Sequence, residues 1–267
     1  MSISFILSKY ELWVLLAKIS PCSVIGFQNP MIGILNEDIF PLVQESTLSL
    51  VDKDLIQVDG NNLIQIAEPL NSYINTISAP ITTVLVGLRL KNNKNQTVQS
   101  YQFSGHEIIL LDVISDFEYR ISKLTSKEEL VSRICAPFTA NIFWAPDSKD
   151  LYFTQSLWEM IQHNLEIGHL GKAKELLDST DGDTESKSHL FNTLKTPMIN
   201  FSFVGFFNRN DASQKYVDGF AVICDDRYVW ILEMVDEKKQ IVKIAKTTLS
   251  EINRKIVTKT SSIPRLL

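Results

Sequence analysis

A histidine and two glutamates occur at helical spacing within one stretch of the chain, and together they could ligate a transition metal. Glu159, His163 and Glu166 are four and three residues apart, so they share one face of a helix. Carboxylate and imidazole groups are suitable ligands for such ions. No second histidine or aspartate completes the set, and an exposed helix face has the same composition. The sequence therefore does not predict a metal site here.

Carboxylates also cluster around Gly182, where a calcium-binding loop has to be considered. They are Asp178, Asp181, Asp183 and Glu185. An EF-hand loop requires acids at alternate positions, then a glycine, and a glutamate near the end of the loop. The spacing in this sequence does not match that pattern. We expect a solvated, mobile loop over residues 179–188.

The three cysteines offer little support for nucleophilic catalysis. Cys22, Cys135 and Cys224 lie far apart, and apolar neighbours of the last two are expected to raise the pKa of a thiol. The chain contains no nucleophilic-serine, phosphate-loop, zinc-protease or dinucleotide-binding motif. We therefore expect no catalytic residue, no cofactor and no metal. An enzyme with an unrecognised site is one alternative, which a polar pocket containing His106 or Cys135 would favour.

The composition indicates a globular protein of the reducing cytoplasm. Of 267 residues, 45% are hydrophobic and 21% are charged, which is enough apolar surface for a sizeable core. An odd number of cysteines cannot be fully paired within one chain, and this favours a compartment without disulfides. Lys9 and Glu11 interrupt the first apolar patch too early for a signal peptide, and no window is apolar enough to span a bilayer. We expect no membrane insertion.

The net charge of −5 is unevenly distributed. Residues 1–80 contain three basic and eight acidic side chains and no arginine, whereas from Lys238 onward eight basic side chains are opposed only by Glu251. The basic stretch includes Lys243, Lys246, Arg254, Lys255, Lys259 and Arg265. Such residues usually coat a solvated face; an acidic partner, a membrane surface and nucleic acid are the alternatives.

The first 80 residues have the element order of a winged-helix unit. Ser8 and Glu11 form a capping box at the start of a helix that Pro21 ends. The elements predicted next are a helix at 41–52, strands at 55–58 and 63–66, and a helix at 68–78. In a winged-helix protein the helix at 41–52 would be the one that enters the DNA groove. It contains no basic side chain, so we expect no nucleic-acid binding. A winged-helix regulatory protein is the second alternative.

Each half of the chain is predicted to contain a four-stranded antiparallel meander followed by a capped helix. The predicted strands are 82–91, 97–103, 106–114 and 117–124 in the first meander, and 198–207, 217–224, 228–235 and 240–245 in the second. Ser126 and Thr248 begin the capped helices, and helices at 154–167 and 172–178 lie between the meanders. The prediction is a quasi-twofold α+β fold in four segments of one compact domain: 1–80, 81–137, 138–195 and 196–267.

Several of these segments resemble a known family. They are the helix at 12–19, the wing strands with Leu55-Ile56 and Leu63-Ile64, the helical turn at 164–173 with its Gly-His-Leu-Gly sequence, and the strand pair at 222–228 with its Asp-Asp-Arg-Tyr sequence. Together with the two meanders and the final amphipathic helix, this order resembles that of the EspG-like family, cytosolic chaperones attached to ESX (type VII) secretion.

The resemblance implies an α+β fold with quasi-twofold halves and no enzymatic activity. It also implies that a polypeptide client, a helical secretion substrate, binds to the first-meander loop at 91–96 and to the helices at 154–178. The residues implied in partner binding are Lys91, Asn93, Lys94, Trp158, Gln162 and Leu165. We therefore expect a non-enzymatic, chaperone-like protein that keeps a partner polypeptide soluble before its delivery.

Overall fold

The structure is a computed structural model, and it describes residues 3–19, 23–60, 63–90, 97–105, 107–136, 149–197, 199–210 and 213–261. The strands in this part of the chain are β1 (Ser4–Ser8), β2 (Ile56–Val58), β3 (Ile64–Ile66), β4 (Thr82–Leu90), β5 (Thr97–Ser104), β6 (Glu107–Val113), β7 (Glu118–Lys123), β8 (Leu151–Thr154), β9 (Ile199–Asn210), β10 (Ser213–Cys224), β11 (Val229–Asp236) and β12 (Ile241–Thr247). The helices are α1 (Lys9–Ile19), α2 (Asn36–Asp52), α3 (Leu70–Ser78), α4 (Lys127–Cys135), α5 (Gln155–Glu166), α6 (Leu170–Asp178), α7 (Thr184–Lys195) and α8 (Leu249–Ser261).

One antiparallel sheet of ten strands runs through the molecule. Its order is β1-β7-β6-β5-β4-β9-β10-β11-β12-β8, and β2 and β3 form a separate hairpin. The order is symmetric about the central β4–β9 pair, in which Leu85 lies opposite Gly205. Each half has an edge strand that leads into a helix, a four-stranded meander and a final helix, so the predicted quasi-twofold α+β fold is confirmed.

The predicted capping boxes begin three of the helices. The Ser8 hydroxyl accepts the Glu11 N–H at 3.1 Å, and Glu11 Oε2 accepts the Ser8 N–H at 2.6 Å. Thr248 and Glu251 exchange the same two hydrogen bonds at the start of α8. At α4, the Ser126 hydroxyl accepts the N–H of Glu129 at 3.2 Å, but the Glu129 carboxylate accepts the N–H of Thr125 and not that of Ser126, so only half of the predicted box forms. Each cap satisfies a backbone donor that has no partner within the helix.

Helices α4 and α8 cover the centre of one face of the sheet. Leu130 of α4 and Ile252 of α8 pack with alternate strand residues such as Leu110 and Val222. The neighbouring residues Ile109 and Ile223 point to the opposite face, because side chains alternate along a strand. On that second face, α1 and α3 cover the first meander, and α5, α6 and α7 cover the second.

The N-terminal unit is winged-helix-like, with α1, α2 and α3 around the β2–β3 wing. Leu12, Leu15, Leu50 and Ile74 form its buried centre. The predicted start of the second helix was wrong, since α2 begins at Asn36 and contains Pro41. Acidic side chains in the first turn favour this longer helix through the helix dipole, and Pro41 removes one intrahelical hydrogen bond near its N-terminal end.

Two edge strands and one helix were not predicted. Strand β1 pairs with β7, and β8 pairs with β12, so residues before each predicted meander extend it at the outer edge. The predicted loop at 179–188 is wrong in its second half, because α7 begins at Thr184. Asp183 caps that helix by accepting the Ser186 N–H at 2.7 Å. One continuous sheet therefore contains strands from all four predicted segments.

Candidate partner-binding site

Helices α5 and α6 form a hairpin, here called the α5–α6 hairpin, at the β8 edge of the sheet. Thr154 ends β8 and caps α5, since its hydroxyl accepts the Leu157 N–H at 3.3 Å. Gly168 has a φ of 80°, a left-handed conformation that glycine adopts without strain and that ends the helix. His169 then donates its N–H to the Asn164 carbonyl at 2.8 Å. The sharp turn directs α6 back along α5.

The inner face of the hairpin contains the apolar residues that were expected to contact a partner. Trp158 is only 6% exposed, and its ring centroid lies 5.8 Å from that of Phe153 in β8. Leu165 is half-buried and packs against the same core, and Gln162 is half-buried beside it. Trp158 thus lies beneath the hairpin surface, and direct partner contact by these residues stays a prediction.

The outer face of the hairpin exposes apolar side chains that the sequence interpretation did not single out. Met160 in α5 is 48% exposed, and Ile167, the C-cap residue directly after α5, is 50% exposed. The two residues are seven apart and lie on one side of the helix axis. Leu170, the first residue of α6, is exposed next to them. We call these three residues the α5–α6 patch. The sequence did contain a signal for their exposure. Met160 and Ile167 lie on a different side of the helix from the buried residues Trp158 and Ile161.

The other predicted contact region is the first-meander loop. Lys91, Asn93 and Lys94 lie outside the described residues. The loop connects β4 to β5, which are neighbours near the middle of the sheet. Partner binding by these three residues therefore stays a prediction.

Glu159 and Asp183, from the two carboxylate clusters considered as metal sites, have structural partners. Glu159 accepts a hydrogen bond from the Gln155 side chain at 2.8 Å. The backbone hydrogen bond from Ser186 to the Asp183 carboxylate lowers the pKa of Asp183, against the smaller effect of its burial. In the described ranges, no three His, Cys, Asp or Glu side chains lie close enough together to hold a metal ion.

Cys135 lies in an open groove between α4 and α8. The groove encloses about 780 Å³ and is bordered by Val131, Leu249 and Val257 as well as by polar side chains. Burial raises the pKa of the Cys135 thiol to about 11, so the reactive thiolate is scarce at neutral pH. Cys224 is buried in the core, and Cys22 and His106 lie outside the described residues.

A polar cluster that sequence reasoning missed attaches α7 to the second meander. Lys246 Nζ lies 2.8 Å from His189 Nδ1, and the Tyr228 hydroxyl lies 3.3 Å from His189 Nε2. The Lys246 ammonium also lies 4.8 Å from the centre of the Tyr228 ring. Burial lowers the pKa of both His189 and Lys246, so a neutral imidazole accepts a hydrogen bond from the ammonium.

Asp225 stabilises the turn between β10 and β11 by hydrogen bonds. This turn belongs to one of the segments that resemble the EspG-like family. Asp225 Oδ1 accepts the N–H groups of Arg227 and Tyr228, each at 2.7 Å, and its Oδ2 accepts the Thr193 hydroxyl at 2.6 Å. Thr193 in turn accepts the indole N–H of Trp230 at 3.1 Å. The aspartate in this segment therefore has a structural role in joining the turn to α7.

Comparison with solved structures identifies the fold. No protein-family model and no curated protein matches the chain by sequence. The structure is similar to that of the Mycobacterium tuberculosis type VII secretion system chaperone EspG5, solved in complex with the PE25–PPE41 dimer. The TM-score is 0.68 at 10% sequence identity, over 98% of this chain and 97% of EspG5.

None of the helices in the described ranges is long and apolar enough to cross a membrane.

At 10% identity the likeness to EspG5 concerns the fold and not the side chains. It extends over nearly the full length of both chains, including the winged-helix-like unit and both meanders. The chain therefore has the EspG-like fold.

Proposed function

We propose that this protein is a non-enzymatic, cytoplasmic chaperone that binds a polypeptide client and keeps it soluble, in association with secretion. The observation that carries the proposal is the full-length similarity to a secretion chaperone that was solved with its PE25–PPE41 partner bound. A shared fold alone does not determine a function. The proposal therefore also depends on a surface of this chain that suits a polypeptide.

The α5–α6 patch is the surface that we propose for the client. Met160, Ile167 and Leu170 present apolar side chains to solvent on one side of the hairpin. A methionine adapts to partners of different shape because its side chain is unbranched and polarizable. The exposed polar residues Glu159 and His163 lie beside the patch, and an apolar centre with a polar rim is the usual composition of a protein interface.

A helical client segment is the partner that this patch suits best. An amphipathic helix could place its apolar stripe along Met160 and Ile167, whose spacing follows the axis of α5. Gln162 and Leu165 lie with Trp158 on the inner face of the hairpin, and these three residues would support the interface from beneath. We further propose that Lys91, Asn93 and Lys94 in the first-meander loop make a second contact with the client.

The test compares client retention by variants of the patch. The tagged protein is expressed in its native cell, and co-purifying proteins are quantified by mass spectrometry. Met160→Asp and Ile167→Asp place a charge in the apolar centre and should each deplete the client about tenfold, equivalent to about 1.4 kcal/mol of binding free energy. Both positions are exposed, so the folded state should change in stability by no more than about 0.5 kcal/mol.

Leu48→Asp is the matched control. Leu48 is an exposed leucine on α2, far along the chain from the hairpin, and the substitution makes the same change in charge. The client should remain bound to this variant. Equal retention by all variants would refute the α5–α6 patch as the docking surface, and a wild-type protein that is monomeric and free of any client would refute the chaperone function itself.

A further inference from the structure

Strand β1 presents an unpaired backbone edge at the opposite end of the sheet from the α5–α6 hairpin. Within the described part of the chain, β1 pairs with β7 only. Lys9 donates its N–H to the Phe117 carbonyl at 2.8 Å, in register with the β1–β7 pairing. Backbone hydrogen bonding alternates along an antiparallel strand. Phe5 and Leu7 therefore exchange backbone hydrogen bonds with β7, whereas the N–H and carbonyl of Ile6 point to the open side.

A groove lies between this edge and α2, and we call it the β1–α2 groove. It encloses about 380 Å³ and is lined by Ile6, Tyr10, Leu42, Glu45 and Glu118, with serines of α2 and the Glu11–Lys53 pair. Ile6 is 52% exposed on its border. Strand β1 has five residues, and Ser4 and Ile6 have their N–H groups on the open side, whereas the N–H of Ser8 is donated to Glu11. This edge suits a short added strand.

The charge of the groove selects a basic occupant. Lys53 is the cation of the lining, and its ammonium lies 2.6 Å from Glu11, so its charge is already compensated. Glu45 and Glu118 form no ion pair with any residue that the structure describes. Arg120 lies opposite Ile6 in the β1–β7 pairing, and its guanidinium is 4.0 Å from the Asp112 carboxylate. The groove thus combines the apolar side chains of Ile6 and Leu42 with the carboxylates of Glu45 and Glu118, which lie outside any ion pair among the described residues.

We propose that the β1–α2 groove binds an extended polypeptide segment from a partner by strand addition to β1. The backbone of the segment pairs with Ile6, an apolar side chain contacts Ile6 and Leu42, and a lysine or arginine faces Glu45 and Glu118. Main-chain hydrogen bonds supply affinity in this mode, and side chains supply selectivity. The site is separate from the α5–α6 patch, so the two interactions can be tested independently.

Fluorescein-labelled peptides of roughly eight residues, near the upper length of a strand, are the probes. One alternates valine with lysine, the second alternates valine with glutamate, and the third is the lysine peptide with N-methyl groups on alternate backbone nitrogens. Fluorescence polarisation should show the lysine peptide binding at least about tenfold more tightly than either control. The N-methylated peptide keeps its charge but loses donors, so it separates strand addition from simple electrostatic attraction.

Ile6→Pro removes the outward N–H while leaving the β1–β7 hydrogen bonds intact, since proline is tolerated on an edge strand whose N–H faces solvent. The lysine peptide should bind this variant at least about tenfold more weakly. Tyr152→Pro makes the equivalent change on β8: Gln155 donates to Gln240, so the N–H of Tyr152 also faces the open side. That variant should bind the peptide normally. Circular dichroism confirms that both variants are folded.

The combined Glu45→Gln and Glu118→Gln substitutions should remove the preference for lysine over glutamate while retaining weak binding. The proposal is overturned if the lysine peptide does not bind the wild type, if Ile6→Pro binds it as tightly as the wild type does, or if Tyr152→Pro abolishes binding. It is also overturned if sedimentation shows a dimer that Ile6→Pro converts to a monomer, because a second copy then occupies the edge.

Discussion

Glu11 is a buried carboxylate that joins three elements of the N-terminal unit. Its Oε2 accepts the backbone N–H of Ser8 at the end of β1, and it belongs to the first turn of α1. Its Oε1 accepts the hydroxyl of Ser49 at 2.8 Å and the ammonium of Lys53 at 2.6 Å, at the C-terminal end of α2. Only 2% of Glu11 is exposed, so these hydrogen bonds replace those that water would make.

These partners determine how Glu11 responds to pH. Burial raises the pKa of the Glu11 carboxyl, but hydrogen bonds from Lys53, Ser8 and Ser49 outweigh it and lower the pKa below the ordinary value of 4.5. A carboxyl whose pKa is lower in the folded state binds protons more readily after unfolding. Its contribution to stability is therefore present above pH 4.5 and is lost as the pH falls through the pKa of the folded state.

Glu11→Gln should lower the free energy of unfolding at neutral pH by about 1–3 kcal/mol, because the charge-assisted hydrogen bonds become weaker. Urea unfolding followed by circular dichroism measures this loss. The difference from the wild type should shrink as the pH falls below about 4.5, since the wild-type carboxyl is then protonated too. Glu45→Gln, an exposed change on α2, should alter stability by less than about 0.5 kcal/mol. A loss for Glu11→Gln that does not depend on pH would contradict this explanation.

The start of helix α7 is fixed by the side chains of Asp183 and Lys187. Asp183 accepts the Ser186 N–H at 2.7 Å, and Lys187 donates from its ammonium to the carbonyls of Asp178 and Thr180 in the preceding turn. Leu190 then places the helix in the core of the second half. These contacts make the acidic segment a helix start and not a solvated loop.

Asp183→Ala should destabilise the protein by about 1 kcal/mol, within the range of about 0.5–2 kcal/mol known for losing an N-cap. Thermal unfolding and urea unfolding both measure this change. Asp181→Ala is the control, because it removes an exposed carboxylate from the same turn without removing the cap. If the two substitutions destabilise the protein equally, general electrostatics and not the cap explains the role of Asp183.

The meanders and capped helices could be predicted because their signals are local. Alternating apolar residues marked β4 to β7 and β9 to β12, and three Ser or Thr residues with a Glu three positions later marked helix starts. The edge strands were harder to predict, because β1 and β8 have only five and four residues and each leads directly into a helix. Their pairing with β7 and β12 is a long-range contact.

The candidate site could be predicted as a region but not as a surface. The Gly168 turn and the two helices around it were correct to within a few residues. Trp158 and Leu165 are seven residues apart on the same helical face as Ile161, and this spacing is also typical of a core. Which apolar face is buried depends on the position of β8 beneath the helix, and that is a tertiary contact.

The acidic charge of the first 80 residues argues against a nucleic-acid partner for the winged-helix-like unit. Residues 1–80 contain eight acidic side chains and three basic ones, and Glu37 and Asp38 lie in the first turn of α2. A basic surface is needed to release counterions from DNA, and it supplies most of the non-specific affinity. The acidic unit lacks this source of affinity.

We therefore expect no binding of duplex DNA tighter than a Kd of about 10⁻⁴ M at physiological salt, the weak limit of non-specific association. Fluorescence anisotropy with a labelled duplex tests this expectation, and an established winged-helix repressor serves as the positive control. Measurable affinity that decreases steeply with added salt would contradict it and would restore a regulatory function as the better explanation of this unit.

The length of the sheet separates its two ends. Ten strands give nine spacings, which correspond to roughly 43 Å along the sheet at about 4.8 Å each. The accumulated twist of about 20° per strand turns one edge by roughly half a revolution relative to the other. The β1–α2 groove and the α5–α6 patch thus face different directions at opposite ends. Two partners could occupy the protein at the same time without touching, so the molecule would act as a spacer between them.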